Sequence, residues 1–163
     1  MNHVKIMGLL IGSIVLSSFN FGSVTGQDVS ISVANDELTF ATVNGITLYD
    51  NQETIVMKLG EPDLVEVDPL IKELEIYQYP AMNICFYSGE LNYVEVMPEA
   101  RTIKIDDTII QISLDNMKKA LGKPDYIAED GIVFVRNDAV IKIFIDDKTE
   151  EVIAIDYYHI SSI

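Results

Sequence analysis

The side chains that could carry chemistry are one cysteine, two histidines and a surplus of carboxylates. Cys85 stands in an apolar run, Ile84-Cys85-Phe86, which predicts a small buried structural residue. A catalytic thiol needs a base such as histidine, and beyond the N-terminal segment the chain holds only His159. Asp63 and Asp125 could form a carboxylate pair for acid–base work, but both follow Gly-x-Pro, which favours a role in a turn.

Metal and phosphate sites have equally weak signals. The most acidic run, residues 146–151, lacks the alternating ligands and central glycine of a calcium loop and predicts a solvated turn. Gly8 and Gly12 belong to the apolar N-terminal segment, so they form no phosphate-binding loop. We therefore predict no enzyme activity, no metal and no cofactor. A hydrolase that uses surface carboxylates is the least supported hypothesis.

The charge balance excludes some partners. Eleven basic residues against 26 acidic ones give a net charge of −15, which repels nucleic acids and anionic lipid headgroups. The acidity serves solubility or suits a basic partner. We predict a protein partner of unknown identity, no nucleic acid and no direct binding to lipid surfaces.

The first 26 residues predict a signal peptide. A short, weakly basic start is followed by an apolar run from Ile6 to Leu16, shorter than the roughly 20 residues of a spanning helix. Val24-Thr25-Gly26 allows cleavage before Gln27, whereas Phe19 and Phe21 lengthen the apolar stretch and leave an uncleaved anchor as the alternative. The predicted location is secreted or in the extracytoplasmic cell envelope. Residues 27–37 are predicted to be a flexible leader or an added edge strand.

An internal repeat organises the rest of the chain. Leu-Gly-Glu-Pro-Asp at 59–63 recurs as Leu-Gly-Lys-Pro-Asp at 121–125, and the similarity extends back to Thr39 and Thr102. We predict unit 1 at residues 38–97 and unit 2 at 101–158, joined by Pro98-Glu99-Ala100. Units of about sixty residues are marginal alone, so we expect the two to share a core.

The same order of elements is predicted in each unit. Asn44-Gly45 and Asp106-Asp107 indicate hairpin turns. Each hairpin is followed by a helix that begins after a polar cap, at Asp50 or Asn51 with Glu53 completing a capping box, and at Ser113 in unit 2. Each helix ends at a glycine, Gly60 or Gly122, which we expect to be left-handed, and a proline follows two residues later. The strands predicted after the helices are 71–79, 82–87 and 91–97, then 132–136, 139–145 and 152–158. The predicted fold class is α+β, with antiparallel sheet(s) and helices on one face.

This pattern of a helix, Leu-Gly-x-Pro-Asp and a three-strand meander resembles a group of exported bacterial domains. It is similar to the secreted β-lactamase inhibitor proteins and the SmpA/OmlA-type small envelope domains, and to tandem-repeat secreted or lipoprotein domains of Gram-positive bacteria. The resemblance covers nearly all of residues 38–158. It implies helices on one face of a sheet and a free opposite face for a protein partner. The inhibitors rely on disulfides, which this chain with its single cysteine lacks.

Strand alternation nominates a binding face. Leu74 and Ile76 are predicted to lie under the helix with Met82, Ile84, Phe86, Val94 and Val96. The predicted protein-binding residues on the opposite face are Tyr77, Tyr79, Tyr87, Tyr93, Phe134 and Phe144, and Ile132, Arg136 and Lys142 are predicted beside the last two. The alternative is that aromatic residues simply favour strands. The leading hypothesis is a protein-binding module, inhibitor-like in type, that uses the helix-free face; a structural or assembly component of the envelope is the alternative.

Overall fold

Eight antiparallel strands form one continuous sheet in the computed structural model, which describes residues 37–162. The predicted signal peptide and residues 27–36 of the predicted leader lie outside the described residues. In chain order the elements are α1 Gln52–Leu59, β1 Leu64–Val67, β2 Leu74–Tyr79, β3 Met82–Tyr87, β4 Glu90–Val96, β5 Thr102–Ile105, β6 Thr108–Gln111, α2 Leu114–Leu121, β7 Tyr126–Ala128, β8 Gly131–Arg136, β9 Ala139–Ile145 and β10 Val152–His159.

The strand order is β1-β2-β3-β4-β10-β9-β8-β7, and β5-β6 is a separate hairpin. Each helix is followed by a four-stranded meander, and the two meanders meet where β4 pairs with β10, with Val94 opposite Tyr157. The meander after each helix therefore has one more strand than the three predicted. The additional strands, β1 and β7, follow directly on the Pro-Asp turns and form the two edges of the sheet.

The predicted α+β class is wrong, because the described chain is mostly β: 46% strand against 17% helix. Each helix has only eight residues, since Gly60 and Gly122 end it early. Helix α1 fully buries only Ile55, and α2 buries Met117 and Leu121. Helices this short do not cover one face of an eight-stranded sheet.

The core is one cluster that includes residues of both predicted units. Coil residues Phe40, Val43 and Ile46 and the β5–β6 hairpin contribute to it together with the helices. The buried hydroxyl of Tyr157 on β10 donates to the carbonyl oxygen of Phe40 at 2.9 Å, so the last strand is tied to the start of the described chain. This shared core agrees with the expectation that neither unit buries enough surface alone.

The structure confirms some of the predicted turns and helix caps and corrects others. Asn44 and Gly45 both have positive φ, as the hairpin turn requires, but only a single bridge, Val43 to Ile46, forms around them. Asn51, not Asp50, caps α1, and its capping-box partner is Thr54, not Glu53. Ser113 caps α2 as predicted.

The helix-ending glycines have positive φ, but they are not left-handed helical as predicted. Gly60 has ψ of −175° and Gly122 of −146°. This region is almost exclusive to glycine.

Candidate functional site

The register of the strands decides which side chains share a face of the sheet. The two-residue turn Pro80-Ala81 places Tyr79 directly opposite Met82, so odd residues of β2 lie on the same face as even residues of β3. The core face therefore carries Ile84 and Phe86 together with Tyr77. We call the opposite side the helix-free face, because neither α1 nor α2, the α-helices of the described residues, bonds to the sheet there. Its central part consists of Asn83, Cys85 and Tyr87 on β3, Tyr93 and Glu95 on β4, Asp156 and Tyr158 on β10, and Val140, Lys142 and Phe144 on β9.

The hydrogen bonds between helices and sheet are consistent with this name. Gln52 of α1 donates to Glu75 at 3.0 Å, and the Tyr79 hydroxyl donates to the carbonyl oxygen of Gly60 at 3.0 Å. Arg136 donates to the carbonyl oxygen of Leu121 at the end of α2. All three sheet residues are on the core face by register.

The structure divides the six predicted binding residues between the two faces. Tyr87, Tyr93 and Phe144 lie on the helix-free face. The other three lie on the core face: Tyr77, Tyr79 and Phe134.

Their contacts explain the correction. Tyr77 meets Phe86 edge to face with the ring centroids 4.9 Å apart, and Phe134 is completely buried. Leu74 and Ile76, predicted under the helix, lie on the helix-free face, whereas Ile132 and Arg136 lie on the core face. Residues of both units were assigned to the wrong face for the same reason, a two-residue turn between the strands. Like Pro80-Ala81, the turn Asn137-Asp138 pairs an even residue, Arg136, with an odd one, Ala139.

A β-bulge places Tyr93 on the helix-free face. Near the β3–β4 turn, Phe86 pairs with Leu91, but after the bulge Cys85 pairs with Tyr93. The extra residue changes which side of β4 faces the core, so Val94 and Val96 are buried and Tyr93 points the other way. The sequence carries no clear mark of this bulge.

A row of polar side chains crosses the middle of the helix-free face. Asn83, Glu95, Asp156 and Lys142 lie opposite one another on four adjacent strands. Asn83 donates to Glu95 at 2.7 Å, and the Lys142 ammonium binds Asp130 at 2.8 Å. The Oδ1 atom of Asp156 is buried and has no hydrogen-bond partner among the described residues.

The pKa of Asp156 is raised to about 7, mainly by burial and then by the neighbouring Glu95 carboxylate, whereas the Lys142 ammonium lowers it by less. Near neutral pH this position is therefore poised between a carboxylic acid and a carboxylate. A protonated Asp156 could donate a hydrogen bond, and an ionised one could accept from a cationic group. Asp156 is not among the residues predicted from the sequence, although strand alternation along β10 places it on the same face as Tyr158.

Aromatic side chains flank the polar row. Tyr93 and Tyr158 are direct cross-strand neighbours where the two meanders join, and the Lys142 ammonium lies 4.2 Å from the ring centroid of Phe144. Burial is the main cause that raises the pKa of Tyr93 and of Tyr158, so both keep their hydroxyl protons at neutral pH. The face thus offers half-buried rings with polar tips.

Asp63 and Asp125, the possible carboxylate pair, lie far from each other. Asp63 precedes β1 and Asp125 precedes β7, and these strands are the opposite edges of the sheet, roughly 30 Å apart at the usual spacing between strands. Asp125 accepts hydrogen bonds from the Val135 amide and from Arg136.

The remaining chemical candidates have structural roles. Cys85 is fully buried, and burial raises the pKa of its thiol. Asp146 accepts from the amides of Lys148 and Thr149 in a turn. No cluster that could hold a metal ion occurs among residues 37–162.

The described residues contain no helix that is long and apolar enough to cross a membrane. No protein-family model matches the chain. No curated protein matches it significantly either.

Solved structures give distant likenesses. An extracellular protein containing an SCP domain from Bacillus anthracis matches 90% of this chain and 50% of its own, with 15% identity and a TM-score of 0.48. A cysteine-rich secretory protein from Staphylococcus aureus matches 69% of this chain and 44% of its own, with 10% identity and a TM-score of 0.41. A DUF4309 family protein from Bacillus subtilis matches 68% of this chain and 78% of its own, with 10% identity and a TM-score of 0.41.

The chain spans about half the length of the first two of these proteins. All three TM-scores are below 0.5. The resemblance to β-lactamase inhibitor proteins and SmpA/OmlA-type domains stays a prediction.

Proposed function

We propose that this protein is an exported, non-enzymatic module that binds a protein partner through the helix-free face of its sheet. The observation that supports this most is the centre of that face, where Tyr93 and Tyr158 stand side by side next to the polar row. On the other face, Gln52 of α1 donates to the sheet, and the sheet residues Tyr79 and Arg136 donate to carbonyl oxygens at the ends of α1 and α2.

The composition of the face suits a protein partner better than a small molecule. Protein interfaces are enriched in tyrosine and phenylalanine at their centres, because a ring buries a large area while its polar tip stays hydrogen-bonded. The sheet also presents these side chains on a fixed backbone, which lowers the entropy lost on binding. The net charge of −15 favours a basic partner surface.

The location belongs to the same proposal. The apolar N-terminal segment supports a secreted or extracytoplasmic protein.

The test is affinity capture with the purified protein as bait against the producer's secreted and envelope proteins, followed by titration calorimetry with the captured partner. Tyr158→Ala and Phe144→Ala should each weaken binding at least tenfold, because truncating a hot-spot aromatic at the centre of an interface costs about 2 kcal/mol or more. Ile109→Ala is the matched control, since Ile109 is 70% exposed on the β5–β6 hairpin, away from the helix-free face.

The circular dichroism spectrum and melting temperature of each variant must show that the fold is kept. A partner that binds both aromatic variants as tightly as the unaltered protein would refute the assignment of the site. Retention on the envelope after salt washing, with no stoichiometric partner, would instead favour the structural role.

A further inference from the structure

A second surface, which shares Tyr87 with the helix-free face but includes no residue of the polar row, has the character of a ligand site. An open groove of about 760 Å³ lies between the start of α1 and the β3–β4 turn, at the ends of β4 and β10. This volume is within the range of small-molecule sites, roughly 300–1,000 Å³. Its aromatic lining residues are Tyr49, Tyr87 and His159.

Two of these rings are exposed to solvent. Tyr49 is 80% exposed and Tyr87 is 53% exposed, so both present ring surface to solvent. Tyr49 stands edge to face with His159 at 6.4 Å between centroids. Rings held in this way are flat platforms on which an apolar surface of a ligand can stack.

The polar groups around the rings are mostly uncharged. The groove lining also includes Asn51, Asn92, Ser88, Ser161 and Ser162. The backbone amide of Ser161 donates to Nδ1 of His159 at 3.1 Å, which leaves the proton of the neutral ring on Nε2 as a donor. The groove therefore combines hydrogen-bond donors and acceptors with stacking surfaces.

The charges that line the groove disfavour anionic ligands, basic peptides and metal ions. Among the described residues no lysine or arginine lines the groove, so phosphate and carboxylate groups lack a cationic partner there. Of its two acids, Asp50 is buried and paired with Lys58, which leaves Glu90 as the exposed carboxylate. One carboxylate is a weak attractant for a basic peptide, and the lining contains no metal cluster among the described residues.

From these features we infer that the groove binds a neutral saccharide chain. A sugar ring has an apolar face of C–H groups that stacks on an aromatic side chain, and its edge of hydroxyls both donates and accepts hydrogen bonds. Tyr49 and Tyr87 would be the platforms. The side-chain NH2 group of Asn51, the amide oxygen of Asn92, the hydroxyls of Ser88 and Ser162 and Nε2 of His159 would bind the hydroxyls of the sugar. This inference does not rest on the protein-binding proposal, because the critical residue, Tyr49, lies outside the sheet.

Titration calorimetry of the purified protein tests the inference with two probes, a tetrasaccharide of β-1,4-linked glucose and one of β-1,4-linked N-acetylglucosamine, each to millimolar concentration. Saturable binding of at least one probe is expected. Tyr49→Ala should weaken it at least tenfold, and Tyr49→Trp should retain it, because indole also offers a stacking surface. Tyr126→Ala, which removes a tyrosine that is 51% exposed on the far edge strand β7, should leave binding unchanged.

Three outcomes would overturn the inference. They are no saturable binding of either tetrasaccharide, binding that Tyr49→Ala does not change, and saturable binding of a neutral peptide such as tetra-alanine in preference to both sugars. Backbone amide shifts in a nuclear magnetic resonance titration must also cluster at Tyr49, the β3–β4 turn and His159. Loss of partner binding in Phe144→Ala with sugar binding intact would show that the two surfaces act separately.

Discussion

At the residue scale, the ionisation of Asp156 affects the stability of the folded state. Its pKa rises from 3.8 to about 7 on folding, mainly through burial and then through Glu95. A raised pKa means that the folded state holds the proton more tightly than the unfolded state does. The contribution of Asp156 to stability is therefore fully present below about pH 3.8, the unfolded pKa, and is lost as the pH rises from there through the folded pKa of about 7.

We expect Asp156→Asn to be more stable than the unaltered protein at pH 7.5, by roughly 1–2 kcal/mol once solvent access to the carboxyl is allowed for. The amide keeps the shape of the acid but cannot ionise next to Glu95. Urea unfolding at pH 4.5, 6 and 7.5 measures the effect, and the difference between the two proteins should shrink at the lowest pH. A difference that is constant with pH would show that Asp156 is not the titrating group.

Asp106 shows the opposite behaviour. Partial burial opposes its ionisation, but hydrogen bonds from the backbone of Thr39 and Thr42 outweigh it, so the pKa of Asp106 is lowered. Its stabilising effect is present above the unfolded pKa and is lost as the pH falls towards the folded value.

Because the Asp106 carboxylate ties residues 39–42 to the β5–β6 turn, we expect Asp106→Ala to cost about 2–3 kcal/mol at pH 7. Chemical denaturation checks this value. Asp107→Ala is the control, because the Asp107 side chain is fully exposed and its one ion pair is with the half-exposed Lys104.

At the scale of elements, two positions require glycine for different physical reasons, one for its backbone conformation and one for lack of space. Gly122 ends α2 with φ of +81°, and a Cβ there would touch nothing within 4 Å, so the cost of a side chain is purely conformational. Gly131 begins β8, and a Cβ there would overlap the carbonyl oxygen of Ile143 on the neighbouring strand.

We expect Gly122→Ala to destabilise by about 1 kcal/mol or more and Gly131→Ala by about 3 kcal/mol, since the second change must displace the backbone. Thermal unfolding of both variants tests the order. Equal effects would mean that the start of β8 shifts easily to accommodate the added methyl group.

The element scale also shows what the sequence could predict. Helix starts and stops carry local chemistry, such as the cap at Ser113, and two strands, β3 and β9, have the predicted bounds. The faces were predictable too, because a two-residue turn opposes its flanking residues and so exchanges odd and even positions between the strands. Applied to Pro80-Ala81, that rule places Tyr77 in the core. The bulge that reorients Tyr93 lies two residue pairs from the β3–β4 turn, and no turn residue or motif in the sequence predicts it.

At the scale of the whole molecule, the two meanders depend on each other. The pairing of β4 with β10 joins them into one sheet. The coil of the first predicted unit is also held by the second, since the Asn44 amide donates to the carbonyl oxygen of Lys104 at 2.8 Å and Val43 bridges Ile105. The helix-free face has its centre at this junction, so a binding site there needs both halves.

We therefore predict that residues 38–97 and residues 101–158, produced as separate chains, will not fold alone. Each fragment would lose the pairing between β4 and β10, and part of the shared apolar cluster would be exposed to water. A chain of about sixty residues has too little stability to offset this loss. Circular dichroism and thermal melting check each fragment alone and the equimolar mixture. A cooperative melt of either fragment alone would show an autonomous domain, and the protein would then be two joined modules. Recovery of a cooperative melt only on mixing is the expected result, because the edges left open on β4 and β10 are complementary to each other.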